Sequence, residues 1–255
     1  MANTRIVLVV EYEGTRYHGF QWQANAPTIQ GEIEKALRKL TKKQTRVLAA
    51  SRTDTGVHAE RQIVSFRTGA ILPLAAYVNG LNHYLPEDIA VKDAFMAADT
   101  FDVRRQAVSR EYNYYIYNSS TRSPLRGRFT YRVEGNLDIE AMDRACQELV
   151  GEHDLSSFAT ELEPRKRNMV KKVFRANVKK DGNMVTFSIL ANSYLPHQVR
   201  NTVGALLNVG RGKMTVDEFR SLVEAKKPAL AGPAAPPQGL HLTQINYAET
   251  FGEDS

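Results

Sequence analysis

The stretch "AASRTDTGVHAERQ", Ala49 to Gln62, sets one carboxylate, Asp54, between Arg52 two positions before it and Gly56 and His58 just after. A lone acid so placed has two readings. Asp before Thr-Gly is a common turn former, because its side chain bonds backbone amides a little further along. The same carboxylate is also suited to act alone as a nucleophile or base, helped by a cation. Arg52 and His58 supply positive charge and hydrogen-bond donors that a turn does not need.

Other chemistries lack their residues. Hard cations take several oxygen ligands at once, and beside Asp54 this stretch offers only Glu60. None of the six histidines stands in a ligand pair such as HExxH. The chain has no phosphate-cradling glycine loop followed by Lys-Ser/Thr, no GxGxxG after its first strand and no GxSxG elbow. NTPase, dinucleotide and serine-hydrolase readings lapse, and no cofactor or metal is expected.

The charge points to a polyanion. Thirty-four Lys and Arg against 28 Asp and Glu give a net +6, the sign expected of a protein that meets phosphates. Arg104-Arg105 form one cluster, Arg122, Arg126, Arg128 and Arg132 a second, and "PRKRNMVKK" (Pro164–Lys172) a third. Any one of them reads as a solvated face; three around aromatic-rich strands favour nucleic acid. Tyr112 and Tyr114 share one face of "REYNYYIYN" by alternation, and Tyr115 and Tyr117 the other. A tyrosine on such a strand either fills the core or stacks on a base.

These residues need a scaffold, and the patterning supplies one. At 255 residues with 42% hydrophobic content the chain reads as globular, and its longest apolar runs fall far short of a membrane span. With Met1–Asn3 starting no signal peptide, a cytoplasmic location without membrane attachment is expected. The single cysteine, Cys146, lies among helical neighbours Met142 and Leu149 and reads as core filler.

"TRIVLVVEYEG" is a continuous apolar run, a strand buried on both faces. Thr28 caps a helix with Ile29, Ile33, Leu37 and Leu40 on one side. "RVLAAS" and "RQIVSFRT" are strands flanking the Asp54 loop. Pro73 opens a helix carrying Leu74, Val78 and Leu81, and "DIAVKDAF" is a strand. The second half repeats the course: the tyrosine strand; a helix from Asp138 to Gly151; a hairpin turning at Asp181-Gly182; helices over 197–208 and from Thr215, where Glu218 completes a capping box; and the strand "GLHLTQINY" after a Pro-rich loop.

Two β-α-β-β-α-β courses predict an α+β fold. Its two ferredoxin-like halves, 1–104 and 105–255, would share a continuous, mostly antiparallel sheet and enclose a central basic cleft.

Read together, the motifs resemble the TruA family of tRNA pseudouridine synthases. "EYEGTRYHGFQWQ" is similar to its Y-[DE]-G-x-x-Y-x-G-[WF]-Q opening, "TIQGEIEKAL" to its T-[IV]-Q-G-x-[IL]-E-x-A-L helix and "SRTDTGVHA" to its G-R-T-D-x-G-V-H-A signature. "FDVRRQAVSREYNYYI", "HQVRNTVGALLNVGRG" and "GLHLTQINY" resemble three further segments in the same order. This sequence has Ser51 where the signature has Gly, and Tyr194 and Gln198 in place of more apolar residues.

The resemblance implies that Asp54 is the nucleophile, Arg200 its basic partner and Tyr112 the ring that stacks on the target base. Arg52 would hold the nucleotide out of its helix, with His58, Arg104, Arg105 and Arg110 as further RNA contacts. It implies a cofactor-free isomerisation of uridine to pseudouridine at positions 38, 39 or 40 of the tRNA anticodon stem-loop, by a homodimer. The alternative is an RNA-binding or RNA-chaperone protein that keeps the scaffold without catalysis.

Overall fold

The computed structural model describes residues 4–160 and 168–248. Met1–Asn3 and the basic residues Pro164–Arg167 lie outside them. Among the described residues the architecture is mixed α+β, five helices and a large, mostly antiparallel sheet. The chain divides into two compact units, one of residues up to Arg110 together with those from Leu242 onward, the other Glu111–His241.

The first unit follows the expected course: β1 (Thr4–Tyr12), α1 (Ile29–Thr41), β2 (Leu48–Ala49), β3 (His58–Thr68), α2 (Leu74–Tyr84) and β4 (Ile89–Ala97). β1 lies between β4 and β3, antiparallel to both, and β2 pairs with β3. The apolar run of β1 is buried at every position from Ile6 to Val10. That is what a strand with partners on both edges and packing on both faces requires.

Thr28 takes an extended conformation and accepts a hydrogen bond from the Gly31 N–H, relieving one orphan donor of α1. Ile29, Ile33, Ala36 and Leu37 then face the core, each of the large ones stabilising by roughly 2 kcal/mol. In α2 the fully buried pair is Tyr77 and Leu81, with Leu74 and Val78 only half-buried beside them.

β5 (Ala107–Asn118) runs from the first unit into the second, which continues with β6 (Tyr131–Val133), α3 (Ile139–Gln147), β7 (Gly151–Asp154), β8 (Val170–Asp181), β9 (Met184–Ala191), α4 (Gln198–Gly210) and α5 (Val216–Glu224). β10 (Leu240–Tyr247) returns to the first unit and neighbours β3 there. Asp138 caps α3, and Thr215 with Glu218 forms the full capping box of α5.

Helix α3 stops at Gln147 instead of running to Gly151. Residues 151–154 are drawn into β7 by antiparallel pairing with β8, Gly151 opposite Val173 and Asp154 opposite Val170. The β8–β9 hairpin pairs Asp181 with Met184, so its two central residues are Gly182 and Asn183, one place later than the Asp-Gly signal suggests. Cys146 is fully buried beside Met142, Ala145 and Leu149.

Candidate active site

The Asp54 loop is held from three sides, all within the first unit. At its start, Gln62 of β3, fully buried, spans the backbone of Ser51: its Nε2 donates to the Ser51 C=O (2.8 Å) and its Oε1 accepts from the Ser51 N–H (3.3 Å). The same Nε2 donates to the Tyr12 hydroxyl at 3.3 Å, and that hydroxyl shares a 2.8 Å hydrogen bond with the Thr53 hydroxyl. Tyr12 can reach there because the β1–β3 register shifts between Val10, opposite Gln62, and Tyr12, opposite Ala59. Such irregularities re-aim side chains where a ladder passes a site.

The second side is the segment after β1. The Phe20 N–H donates to the Thr53 C=O at 3.0 Å and the Gly56 N–H to the Tyr17 C=O at 3.4 Å. Gly14 passes so close that a Cβ there would stand 2.0 Å from the Val57 carbonyl oxygen. Its N–H donates to Nδ1 of the buried His58 at 3.1 Å, which fixes the neutral ring with its proton on Nε2. The loop itself turns back on the Val57 N–H to Asp54 C=O bond, 3.2 Å. Asp54 is left half-exposed and Arg52 exposed. Ser51 stays out of the left-handed region, so the serine in place of the signature glycine sits there without backbone strain.

The third side is Arg110. Its guanidinium is buried and donates to the carbonyls of Ala107 (2.9 Å), Arg104 (2.8 Å) and Ala50 (3.3 Å). Ala50 immediately precedes the loop, so Arg110 acts on the loop backbone. Arg104 and Arg105 are exposed, with both backbone N–H groups donating to Asp102 Oδ1.

The second unit carries Tyr112 and Arg200. Tyr112 on β5 is 6% exposed, its ring meeting the edge of Tyr194 at 5.1 Å and 87°. Tyr194 is fixed in turn by donation from its hydroxyl to the Ile189 C=O, 2.9 Å. Arg200, half-exposed, lies in the first turn of α4, where Gln198 closes the preceding turn by accepting from the Leu195 N–H at 2.9 Å.

The Pro-rich segment before β10 straps this helix. Arg200 Nε donates to the Ala235 C=O (2.7 Å) and the Ala235 N–H donates back to the Arg200 C=O (3.0 Å). The strap fits only because α4 has a glycine beneath it: a Cβ on Gly204 would lie 2.4 Å from the Pro233 carbonyl oxygen. Tyr114 completes the clamp by donating to the Pro236 C=O at 2.7 Å. Burial holds the Tyr114 hydroxyl far above its ordinary pKa, against the opposing charge of Arg200.

Gln62, Tyr12, Tyr194 and the strap carbonyls are additions that residue types and spacing did not single out. One signal existed, a glutamine directly before the apolar pair Ile63-Val64 in the strand "RQIVSFRT".

A carboxylate on a loop held from three sides, in a chain this basic, makes RNA-modifying enzymes the class to compare. The family model described as tRNA pseudouridine synthase matches residues 8–104 and 145–248. A tRNA pseudouridine synthase A of Myxococcus xanthus is 40% identical over 96% of this chain and 92% of its own length. Its counterpart in Geotalea uraniireducens is 40% identical over 95% and 99%, and that of Shewanella amazonensis 38% over 97% and 95%. The chain belongs to the tRNA pseudouridine synthase family, whose members are isomerases that convert uridine to pseudouridine.

Proposed function

We propose that this enzyme isomerises uridines at positions 38, 39 and 40 of the tRNA anticodon stem-loop, with Asp54 as the nucleophile. Support comes from one observation above the rest: hydrogen bonds hold the backbone of Ser51 and Thr53 before Asp54 and of Gly56 after it, while Asp54 itself is only half-buried, as a residue that must meet a substrate requires.

The reaction breaks the C1′–N1 bond and forms C1′–C5. The carboxylate adds covalently while the base is detached, the ring rejoins through C5, the bond to the carboxylate breaks again to free the enzyme, the C5 proton leaves to water and N1 gains one. Atoms and electrons balance without a cofactor. Arg200 is the basic partner in this reading; Tyr112 stacks on the base while the glycosidic bond is open. Arg52 helps hold the flipped nucleotide out of its helix; unstacking that nucleotide costs a few kcal/mol. The same reading includes a cytoplasmic homodimer in which one tRNA touches both subunits.

The test is tRNA carrying tritium on uracil C5, with label released to water counted for wild type and Asp54→Asn. Release by wild type, falling to background in the mutant with RNA binding retained, is the expected result. Equal release by both proteins would remove Asp54 from the chemistry, and an abasic product would make the protein a glycosidase.

A further inference from the structure

Trp22 is the only tryptophan of the chain, and 45% of it is exposed. The guanidinium of Arg46 lies over its ring, 5.4 Å from the centroid. The two residues come from separate segments, and buried Gln30 ties both to the start of α1. Gln30 Oε1 accepts from the Trp22 N–H (2.9 Å), and Gln30 Nε2 donates to the Val47 C=O (3.3 Å) and to Glu34 Oε1 (2.7 Å). Glu34 Oε1 also accepts from the Val47 N–H at 3.0 Å. An exposed indole is ordinarily free to move; this one has its backbone and its cation fixed by the same amide.

Both segments run directly into the Asp54 loop. Phe20, two residues before Trp22, donates to the Thr53 C=O at 3.0 Å, and Val47 leads through β2 to Ala50, whose N–H donates to the Ile63 C=O at 2.9 Å. The chain that carries Arg46 to the loop is basic. From Ala36 to Thr53 the sequence holds Arg38, Lys39, Lys42, Lys43, Arg46 and Arg52 and no Asp or Glu, and Lys42, Lys43 and Arg46 are exposed. A flat π-surface backed by a guanidinium, on a basic stretch of chain, fits a planar base attached to phosphates. An apolar protein partner would not call for that charge.

We propose that Trp22 and Arg46 form a stacking platform for an unpaired nucleobase of the RNA substrate, flanking the nucleotide that Asp54 processes. The proposal rests on the synthase reading above and adds a specificity-determining contact to it. Trp22 takes the base by stacking; Arg46 holds the indole and meets a neighbouring phosphate.

The single tryptophan makes the test direct. Wild-type protein is titrated with an unmodified anticodon stem-loop RNA while intrinsic fluorescence is followed. Tritium release is measured in parallel for wild type, Trp22→Ala, Trp22→Phe and Arg46→Ala. Saturable quenching is expected, with KM raised about tenfold and kcat changed less than twofold in Trp22→Ala, as loss of one stacked base implies. Trp22→Phe should restore most of the loss, and Arg46→Ala should flatten the dependence of affinity on salt by about one ion. Normal release with no quenching, or an unaltered kcat/KM in Trp22→Ala, overturns the platform and leaves the synthase reading intact. Absence of both RNA binding and release in wild type overturns the two together.

Discussion

The Asp54 loop of the first unit takes side-chain bonds from Gln62, Arg110 and Tyr12 in addition to backbone ones, whereas Arg200 of the second is held by a backbone strap, the Ala235 peptide. Gln62, Tyr12 and Arg110 supply donors and acceptors to Ser51, Thr53 and Ala50. Ala235 supplies a carbonyl to the guanidinium, and Pro236 accepts from Tyr114. A carboxylate on a short side chain goes where its main chain goes. The cation is long, stands on a regular helix and needs only its tip steered. The first arrangement is therefore rigid and intolerant, the second adjustable.

Breaking that contrast starts with the close glycine contacts. Gly14→Ala puts a methyl group 2.0 Å from the Val57 carbonyl oxygen, and only backbone can give way. A loss of about 3 kcal/mol is expected in urea unfolding, with tritium release abolished. Gly204→Ala, 2.4 Å from the Pro233 carbonyl oxygen, displaces the strap, so the fall in release should exceed what its lost stability explains. Gly80→Ala is the control, since its contact at 2.7 Å is a flexible methyl of Leu40 and α2 gains helix propensity. Its stability should stay within about 1 kcal/mol of wild type.

Next in size is Gln62→Leu. The leucine fills the space and leaves the Ser51 N–H, the Ser51 C=O and the Tyr12 hydroxyl without the partner they share. The expected loss is about 2 kcal/mol, with kcat falling and KM nearly unchanged because RNA contacts elsewhere are untouched. Gln62→Glu keeps the acceptor for the Ser51 N–H but presents a second acceptor to its carbonyl, and should recover little. On the other side of the comparison, Tyr114→Phe removes only the hydroxyl that donates to Pro236. About 1 kcal/mol is expected, with a kcat loss smaller than that of Gln62→Leu. Should Tyr114→Phe prove the more damaging of the two, the strap would be the rigid element and the contrast would reverse.

The elements themselves were legible because their signals are local. The Thr28 and Asp138 caps, the Thr215–Glu218 box and the unbroken apolar run of β1 are each settled within a few residues. Asp54 stands out as a candidate because Arg52 and His58 lie within four residues of it, though the same local sequence also reads as a turn. What the spacing could not show is whatever depends on distant pairing. β7, "GEHD", has no strand character of its own and exists because β8 offers an edge. Arg110 is expected among the RNA contacts, yet its guanidinium lies buried on three carbonyls. Tyr194 looks like a loop aromatic until β5 and the segment before α4 meet at Tyr112.

The smallest expected effect sharpens the comparison through pH. In the second unit Arg220 of α5 grips Glu148 with two parallel bonds of 2.9 Å and reaches Asp217 at 3.0 Å. Arg220 holds the Glu148 carboxyl below its ordinary value. A depressed carboxyl contributes stability that is present above its unfolded value and lost as pH falls through its folded one. Both side chains are partly open to water, 48% and 26%, so screening keeps the contribution small. Glu148→Gln should lower Tm by less than about 2 °C at neutral pH. The difference from wild type should close on the acid side, measured by thermal melts across the carboxylate range. The Gln62 amide that fixes Ser51 does not titrate there, so the deficit of Gln62→Leu should persist undiminished over the same range. A Gln62→Leu deficit that closed in acid along with that of Glu148→Gln would mean that ionised groups, and not the buried amide, hold the Asp54 loop.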